Sequence, residues 1–220
     1  MDDAGRQRLA DLRRHYGDVG LSESEVAAEP FTQFHRWFEE AVAAELVEPN
    51  AMVLATADAT GRPNVRTVLL KAFDSRGFVF FTGLASRKGR EIAANPWAAL
   101  DFPWYPLERQ VVVRGSVEAV SAEETTEYFA TRPHASQLGA WASEQSTPVT
   151  RAELDARLRD FATRWPEGTS VPVPPTWGGL RVIPDTVEFW QGRPSRLHDR
   201  LEFSRDAASA AGWRVTRLSP

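Results

Sequence analysis

The chain has 220 residues, of which 42% are hydrophobic and 25% charged, and a formal net charge of −4. That length fits one globular domain with a substantial core, and the acidic excess argues against nucleic acid as the main partner. With no cysteine in the sequence, a disulfide framework, a Cys-ligated metal and a thiol nucleophile are all excluded. The apolar runs, such as residues 51–57, fall far short of the ~20 residues that cross a bilayer. The N-terminus is acidic with no apolar segment. No membrane partner and no signal peptide are therefore expected, and the cytoplasm is the expected compartment.

Residues 1–29 are polar and rich in Glu and Arg. They read as a mobile N-terminal arm with a short helix around residues 6–16, ahead of a single domain over residues 30–220. Pro30 opens a helix whose Phe31, Phe34, Phe38, Val42 and Leu46 form one apolar stripe at spacings of three and four. Residues 51–57, 64–73 and 78–82 read as strands separated by turns at 58–61 and 74–77, a β-meander. Residues 86–94 predict a short helix stopped by Asn95-Pro96. Two more strands are expected over 97–104 and 109–120. Ser121 with Glu124, and Thr150 with Glu153, form capping boxes. The helices they open run to about residues 130 and 165, with 133–142 helical between them. Residues 166–176 hold four prolines and must be irregular. Residues 178–218 alternate in strand fashion, with turns expected at Pro184-Asp185, 192–195 and 206–212. Strands dominate both ends and helices the middle. The expected fold class is α+β, mainly β, an antiparallel barrel with helices packed around it.

Of the 26 basic residues, only Lys71 and Lys88 are lysines. An ammonium is a compact point charge rather than a planar fork, so these two mark places where such a charge is wanted. Arg66 and Lys71 bracket the run Arg-Thr-Val-Leu-Leu-Lys. Five apart on one strand, they point to opposite faces. Either a bulge or twist brings them together, or they meet different parts of a ligand; the plain alternative is two strand-end surface charges. Arg87 and Lys88 follow Ser86 at a helix start, where cations oppose the helix dipole unless an anion such as phosphate is bound. The alternative there is a solvated helix start.

Arg196, His198 and Arg200, read on a strand, share one face and repel each other unless acidic neighbours or anionic ligands offset them. Trp190 offers a stacking surface beside them; the alternative is a solvated barrel strand. Tyr128, Arg132 and Ser136 follow each other at spacings of four, a weak signal in residue types that commonly bind phosphate. Gln110, Gln145 and Ser146 are neutral hydrogen-bonding residues. The donors thus fall into two groups: Arg66, Lys71, Arg87 and Lys88, and Tyr128, Arg132, Ser136, Arg196 and His198. Two groups suggest two phosphates, one on a cofactor and one on a substrate. There is no P-loop, no dinucleotide fingerprint and no histidine grouping for a metal, so redox chemistry calls for an organic cofactor.

Several stretches, in this order and spacing, carry a specific resemblance. They are Glu-Pro-Asn-Ala-Met (48–52), Arg-Thr-Val-Leu-Leu-Lys (66–71), Ser-Arg-Lys (86–88), Phe-Pro-Trp (102–104), Glu-Arg-Gln-Val (108–111), Arg-Pro-His-Ala-Ser-Gln-Leu-Gly-Ala-Trp (132–141), Glu-Phe-Trp-Gln-Gly (188–192) and Arg-Leu-His-Asp-Arg (196–200). From about Glu48 to the C-terminus the chain resembles the pyridoxine (pyridoxamine) 5′-phosphate oxidase family.

The resemblance implies a split β-barrel FMN-binding fold with peripheral helices, in a homodimer with FMN sites at the interface. It implies that Arg66, Thr67, Val68, Leu69, Leu70, Lys71, Phe81, Thr82, Arg87 and Lys88 hold FMN, and that Gln110, Gln145, Ser146, Trp190 and Arg200 complete that site. Lys71, Tyr128, Arg132 and Ser136 would grip the substrate phosphate. Arg196, Leu197 and His198 would lie at the substrate ring, with Arg196 and His198 as the catalytic pair. Arg13, Arg14, His15 and Tyr16 match a segment that covers the site in relatives. The implied reaction is oxidation of pyridoxine 5′-phosphate or pyridoxamine 5′-phosphate by O2 to pyridoxal 5′-phosphate and hydrogen peroxide, with ammonia released from the amine. A hydride would leave the substrate's C4′ for the flavin. Phe81 stands where some relatives have Tyr, and His15 where an acidic residue is expected. The rival readings are another split-barrel flavoenzyme, such as a flavin reductase or a deazaflavin-dependent oxidoreductase, and a non-catalytic binder of FMN or pyridoxal phosphate.

Overall fold

The computed structural model describes residues 3–12 and 15–220. In chain order the elements are α1 (Asp3–Ala10), α2 (Pro30–Ala43), β1 (Ala51–Ala57), β2 (Pro63–Leu69), β3 (Ala72–Asp74), β4 (Gly77–Gly83), α3 (Arg87–Ala94), β5 (Trp97–Trp104), β6 (Arg109–Ala119), α4 (Ala122–Thr131), α5 (His134–Ala142), α6 (Arg151–Arg164), β7 (Trp177–Gln191), β8 (Asp199–Arg205) and β9 (Trp213–Arg217). The strands are ordered β2-β1-β5-β6-β7-β4-β3, and β8 pairs with β7 and β9. The chain divides into two compact units. The first comprises Met1–Leu46, Pro103–Val111 and Glu188–Pro220; the second comprises Val47–Phe102 and Val112–Val187.

In the first unit, α2 buries Phe31, Phe34, Trp37 and Ala41. The apolar face is therefore rotated from the expected stripe: Val42 is exposed while Trp37 and Ala41 turn inward. Aromatic packing decides this. Trp37 meets Phe189 edge-on at 5.2 Å, and Phe34 lies 5.7 Å from Trp104. The N-terminal helix ends at Ala10, earlier than the expected 6–16. Leu21 and Ala27 are buried.

In the second unit, β1 alternates as its sequence predicts, sending Met52, Leu54 and Thr56 inward. Phe78, Phe80, Leu100, Phe102, Val113 and Val182 complete this core. Burying a side chain of this size stabilises the fold by about 1.5–3 kcal/mol. Both capping boxes form, at Ser121/Glu124 and at Thr150/Glu153. Each cap contributes about 1 kcal/mol by satisfying helix N–H groups that would otherwise lack a partner.

Two strand expectations need correction. Residues 64–73 are not one strand, because the chain changes partners between Leu70 and Lys71. The Leu70 N–H donates to the Asn50 carbonyl at 2.8 Å, whereas the Lys71 N–H donates to the Val79 carbonyl at 2.8 Å. Nor is there a turn at Pro184-Asp185, since β7 runs straight through it. Pro needs no ladder donor, and β6 comes close there: a Cβ on Gly115 would lie 1.9 Å from the Ile183 carbonyl oxygen.

Candidate functional site

A cavity of about 1570 Å³ opens in the second unit. It is lined by β2 and the corner after it, the end of β4, the start of α3, the α4–α5 corner, the loop after α5 and Trp177. Its cationic side chains are Arg66, Lys71, Arg87, Lys88 and Arg132, and its carboxylate is Glu144. Glu144 is itself 3.6 Å from Arg157. The partner exchange at Leu70-Lys71 explains how Arg66 and Lys71 reach one cavity. Strand parity does not carry across a corner, so their odd spacing no longer sends them to opposite sides.

Arg66 sits opposite Leu54 in the β1–β2 register. Its guanidinium donates to the Leu54 carbonyl at 3.2 Å, to Thr56 Oγ1 at 2.6 Å and to Glu91 Oε2 at 3.0 Å. Glu91, on α3, is buried and also accepts from Thr56 at 2.5 Å and Asn64 at 3.1 Å. Burial alone would raise its carboxyl, but the bonds from Thr56, Asn64 and Arg66 together outweigh that and hold it below the ordinary carboxylate value. Sequence reasoning missed Glu91. The available signal was that a basic residue within an apolar strand needs a partner.

Lys88 is buried, and its Nζ donates to Gln145 Oε1 at 3.0 Å, Thr82 Oγ1 at 3.1 Å and Ser86 Oγ at 3.4 Å. Burial first, and then nearby Arg66, push its pKa down, with Glu91 opposing. Ser86 caps α3 by accepting from the Gly89 N–H. The Arg87 N–H donates to Ser146 Oγ at 3.1 Å, and Gln145 Oε1 also accepts from Thr82 Oγ1 at 3.0 Å. Gln145 and Ser146 thus join the α3 start and the end of β4. The side chains of Lys71 and Arg87 have no carboxylate partner among the described residues.

One wall is aromatic. Phe81 stacks on Tyr128 at 4.0 Å and 17°, and Tyr128 lies nearly parallel to Trp177 at 6.2 Å and 6°. The Arg132 guanidinium lies 4.9 Å over the Trp177 ring and 5.4 Å over Phe129. Arg132 Nη1 is buried with no hydrogen-bond partner. Burial lowers the Arg132 pKa, with Tyr128 opposing. Arg132 ends α4 in extended backbone, so Tyr128, Arg132 and Ser136 meet around the α4–α5 corner, not along one helix. Trp177 was not anticipated. Its one local signal was an aromatic directly after the proline-rich stretch, which Trp141 pins by donating to the Pro172 carbonyl at 2.7 Å.

The structure divides the second predicted group. Tyr128, Arg132 and Ser136 line the cavity of the second unit, while Trp190, Arg196, Leu197, His198 and Arg200 belong to the first. Residues 196–198 are not strand. Pro194–Arg196 forms a 3-10 turn, with Ser195 and Arg196 at φ of 56° and 62°, and β8 begins only at Asp199. Arg200 is held by Glu188 at 2.7 Å and by the Ser219 carbonyl at 2.9 Å. Arg200's share of the expected repulsion is thereby offset, while Arg196 still acts on His198. The His198 ring lies 4.6 Å from Trp190, and Tyr16 meets His198 and Trp190 edge-on at 5.3 and 5.8 Å. Burial, then Arg196, lowers the His198 pKa from its ordinary value. Gln110 is half-buried on β6 and His15 is exposed. Arg13 and Arg14 lie outside the described residues. Among the described residues no cluster of three or more His, Asp or Glu could hold a metal, and no helix is long and apolar enough to cross a membrane.

The family model for pyridoxamine 5′-phosphate oxidase matches residues 38–165, and that for the pyridoxine 5′-phosphate oxidase C-terminal dimerisation region matches residues 177–220. The pyridoxine/pyridoxamine 5′-phosphate oxidases of Burkholderia multivorans and Burkholderia ambifaria are 60% and 57% identical to this chain over 213 residues, 96% of it and 99% of theirs. The structure of PhzG from Burkholderia lata 383, in complex with tetrahydrophenazine-1-carboxylic acid, is similar at a TM-score of 0.85 and 33% identity, covering 92% of this chain and 98% of that one. A pyridoxamine 5′-phosphate oxidase-related, FMN-binding protein of Nostoc punctiforme shares the fold at a TM-score of 0.70 and 18% identity, over 89% and 100% of the two chains. The fold is thus the split barrel, mainly β with peripheral helices, that the motifs implied. With two family models matched and relatives more than half identical over nearly its whole length, the chain belongs to the pyridoxine/pyridoxamine 5′-phosphate oxidase family.

Proposed function

We propose that the protein is an FMN-dependent oxidase that converts pyridoxine 5′-phosphate or pyridoxamine 5′-phosphate to pyridoxal 5′-phosphate. O2 takes the electrons to give hydrogen peroxide, and the amine substrate releases ammonia. The observation that carries this reading is a cationic cavity whose Lys71, Arg87 and Arg132 have no carboxylate partner among the described residues. Their charge is available to anions, and the proposed cofactor and substrate each bring a phosphate.

The donor set fits both. Arg66, Lys71, Arg87 and Lys88 suit the cofactor phosphate. Thr67, Val68, Leu69, Leu70, Phe81, Thr82, Gln145 and Ser146 lie along the same strands and loop and would hold the rest of FMN. Tyr128, Arg132 and Ser136, with Lys71, suit the substrate phosphate. FMN supplies the hydride acceptor that no side chain here can provide. The protein's own part is placement. Glu91 fixes the Arg66 guanidinium, three neutral acceptors fix Lys88, and the Phe81–Tyr128–Trp177 wall excludes water from one side. The C-terminal dimerisation match supports a homodimer. In it Gln110, Trp190, Arg196, Leu197, His198 and Arg200 complete the site, with Arg196 orienting and polarising the substrate and the segment of Arg13, Arg14, His15 and Tyr16 covering it.

Titration with FMN, followed by assay of pyridoxal phosphate and peroxide from both B6 phosphates in air, tests the reading. Failure to take up FMN would overturn it. FMN uptake without pyridoxal phosphate formation would favour another flavoenzyme. The similarity to PhzG, together with the three stacked rings, supports one such second reading: oxidation of a polycyclic carboxylic acid. Turnover of a phosphate-free polycyclic carboxylate in preference to the B6 phosphates would decide for it.

A further inference from the structure

We infer that Arg193 is a positioning residue that locks His198 as its Nε2–H tautomer, so that His198 acts as a hydrogen-bond donor and not as a base. The Arg193 backbone N–H donates to His198 Nδ1 at 3.1 Å. A nitrogen that accepts an N–H must offer its lone pair, so the neutral ring carries its hydrogen on Nε2. A base needs a free ring lone pair. Here Nδ1 has its lone pair engaged, and Nε2 carries the hydrogen. What remains is donation from Nε2.

The loop geometry makes this bond. Arg193 is extended, and the turn at Pro194–Arg196 passes through left-handed backbone at Ser195 and Arg196, closing with the Leu197 N–H on the Pro194 carbonyl at 3.2 Å. That reversal folds the His198 ring back over the Arg193 amide. Left-handed backbone at non-glycine residues costs about 1–2 kcal/mol each, and such strain persists only where its surroundings hold it. The Arg193 side chain supplies part of that hold, donating to the Asp18 carbonyl and lying 3.6 Å from Asp199 Oδ2. Asp199 is anchored in turn by the Leu21 N–H at 3.0 Å and by Arg217 at 2.6 Å. Tyr16 edge-on and Trp190 at a tilt leave the ring little room to flip. The tautomer stands on this geometry alone; only the identity of what meets Nε2 rests on the proposed function.

The test uses the isotope-labelled full-length protein near neutral pH, with and without FMN. A scalar coupling across the hydrogen bond between the Arg193 amide nitrogen and His198 Nδ1 is expected, with Nδ1 unprotonated. A proton on Nδ1, or no coupling, overturns the inference whether or not the protein turns over B6 phosphates. Arg193→Ala keeps the amide but frees it from Asp18 and Asp199. The coupling is expected to vanish there, and its full retention would overturn the side chain's part. In turnover, His198→Gln places an amide donor near Nε2, and His198→Asn places one near Nδ1. The Gln variant should retain roughly ten-fold more kcat than the Asn variant, the worth of one hydrogen bond. Equal losses would overturn the donor role.

Discussion

The first unit and the cavity of the second treat arginine in opposite ways. In the first unit, Arg109 pairs with Glu40, Arg200 with Glu188 at 2.7 Å, and Arg217 with Glu23 at 2.8 Å and Asp199 at 2.6 Å. In the cavity, Lys71, Arg87 and Arg132 face no carboxylate partner among the described residues, and Arg132 keeps a buried nitrogen without any acceptor. Paired arginines hold elements together, whereas unpaired cations around a cavity contribute little to folding and are free to meet an anion. Arg66 stands between these cases, one side of its guanidinium spent on Glu91 and Thr56 while it still lines the cavity.

The sharpest way to break the comparison is Arg132→Ala. Losing a charged partner for phosphate costs about 3 kcal/mol, so kcat/KM for a B6 phosphate should fall roughly 100-fold. Stability should hold or rise, because a desolvated, acceptor-free guanidinium is gone. Steady-state kinetics beside urea unfolding check both halves, and a large loss of stability would show that Arg132 is structural after all. Arg200→Ala is the mirror case. Leaving buried Glu188 without that partner should cost about 2 kcal/mol of unfolding free energy, and an unchanged denaturation midpoint would count against assigning Arg200 to the paired class. Trp177→Leu removes the ring under Arg132. It should raise KM by roughly five-fold, the worth of about 1 kcal/mol of cation–π contact, with little change in kcat; a kcat loss instead would place Trp177 nearer the chemistry.

Ser195→Gly relieves one left-handed residue and should stabilise the chain by about 1 kcal/mol while lowering turnover, since the turn then holds Arg196 and His198 less firmly. A stabilised variant with undiminished kcat would show that the strained turn serves no reaction. The smallest effect concerns pH. The His198 pKa is lowered from 6.5 in the fold, so the unfolded chain takes up that proton first. Its stabilising contribution is present above pH 6.5 and is lost as pH falls through the folded value. His198→Gln should therefore flatten the decline of stability that sets in just below pH 6.5, as read from urea midpoints across the range. A decline of the same steepness in both proteins would assign it to other groups.

Much of this was legible in the chain. Residues 51–57 and 97–104 became β1 and β5 at the expected bounds because alternation is a local property. The caps at Ser121 and Thr150 formed because a capping box spans four residues. Other features were not legible. The corner at Leu70-Lys71 exists because two different strands compete for one stretch of backbone, and Pro184-Asp185 reads as a turn until β6 packs against it. Arg196 to Arg200 alternates like a strand, yet left-handed backbone at Ser195 and Arg196 ends that pattern before β8 begins. Glu91 and Trp177 lie far along the chain from Arg66 and Arg132, and no spacing rule connects them.

By itself, the sequence determined the element periods, the helix caps, the family and the inventory of cations. Only the tertiary structure decided which cations are spent and which are free. Arg66 and Arg200 read in sequence like Lys71 and Arg132, but pairing depends on distances between elements and on the cost of losing water, and neither is written in chain order.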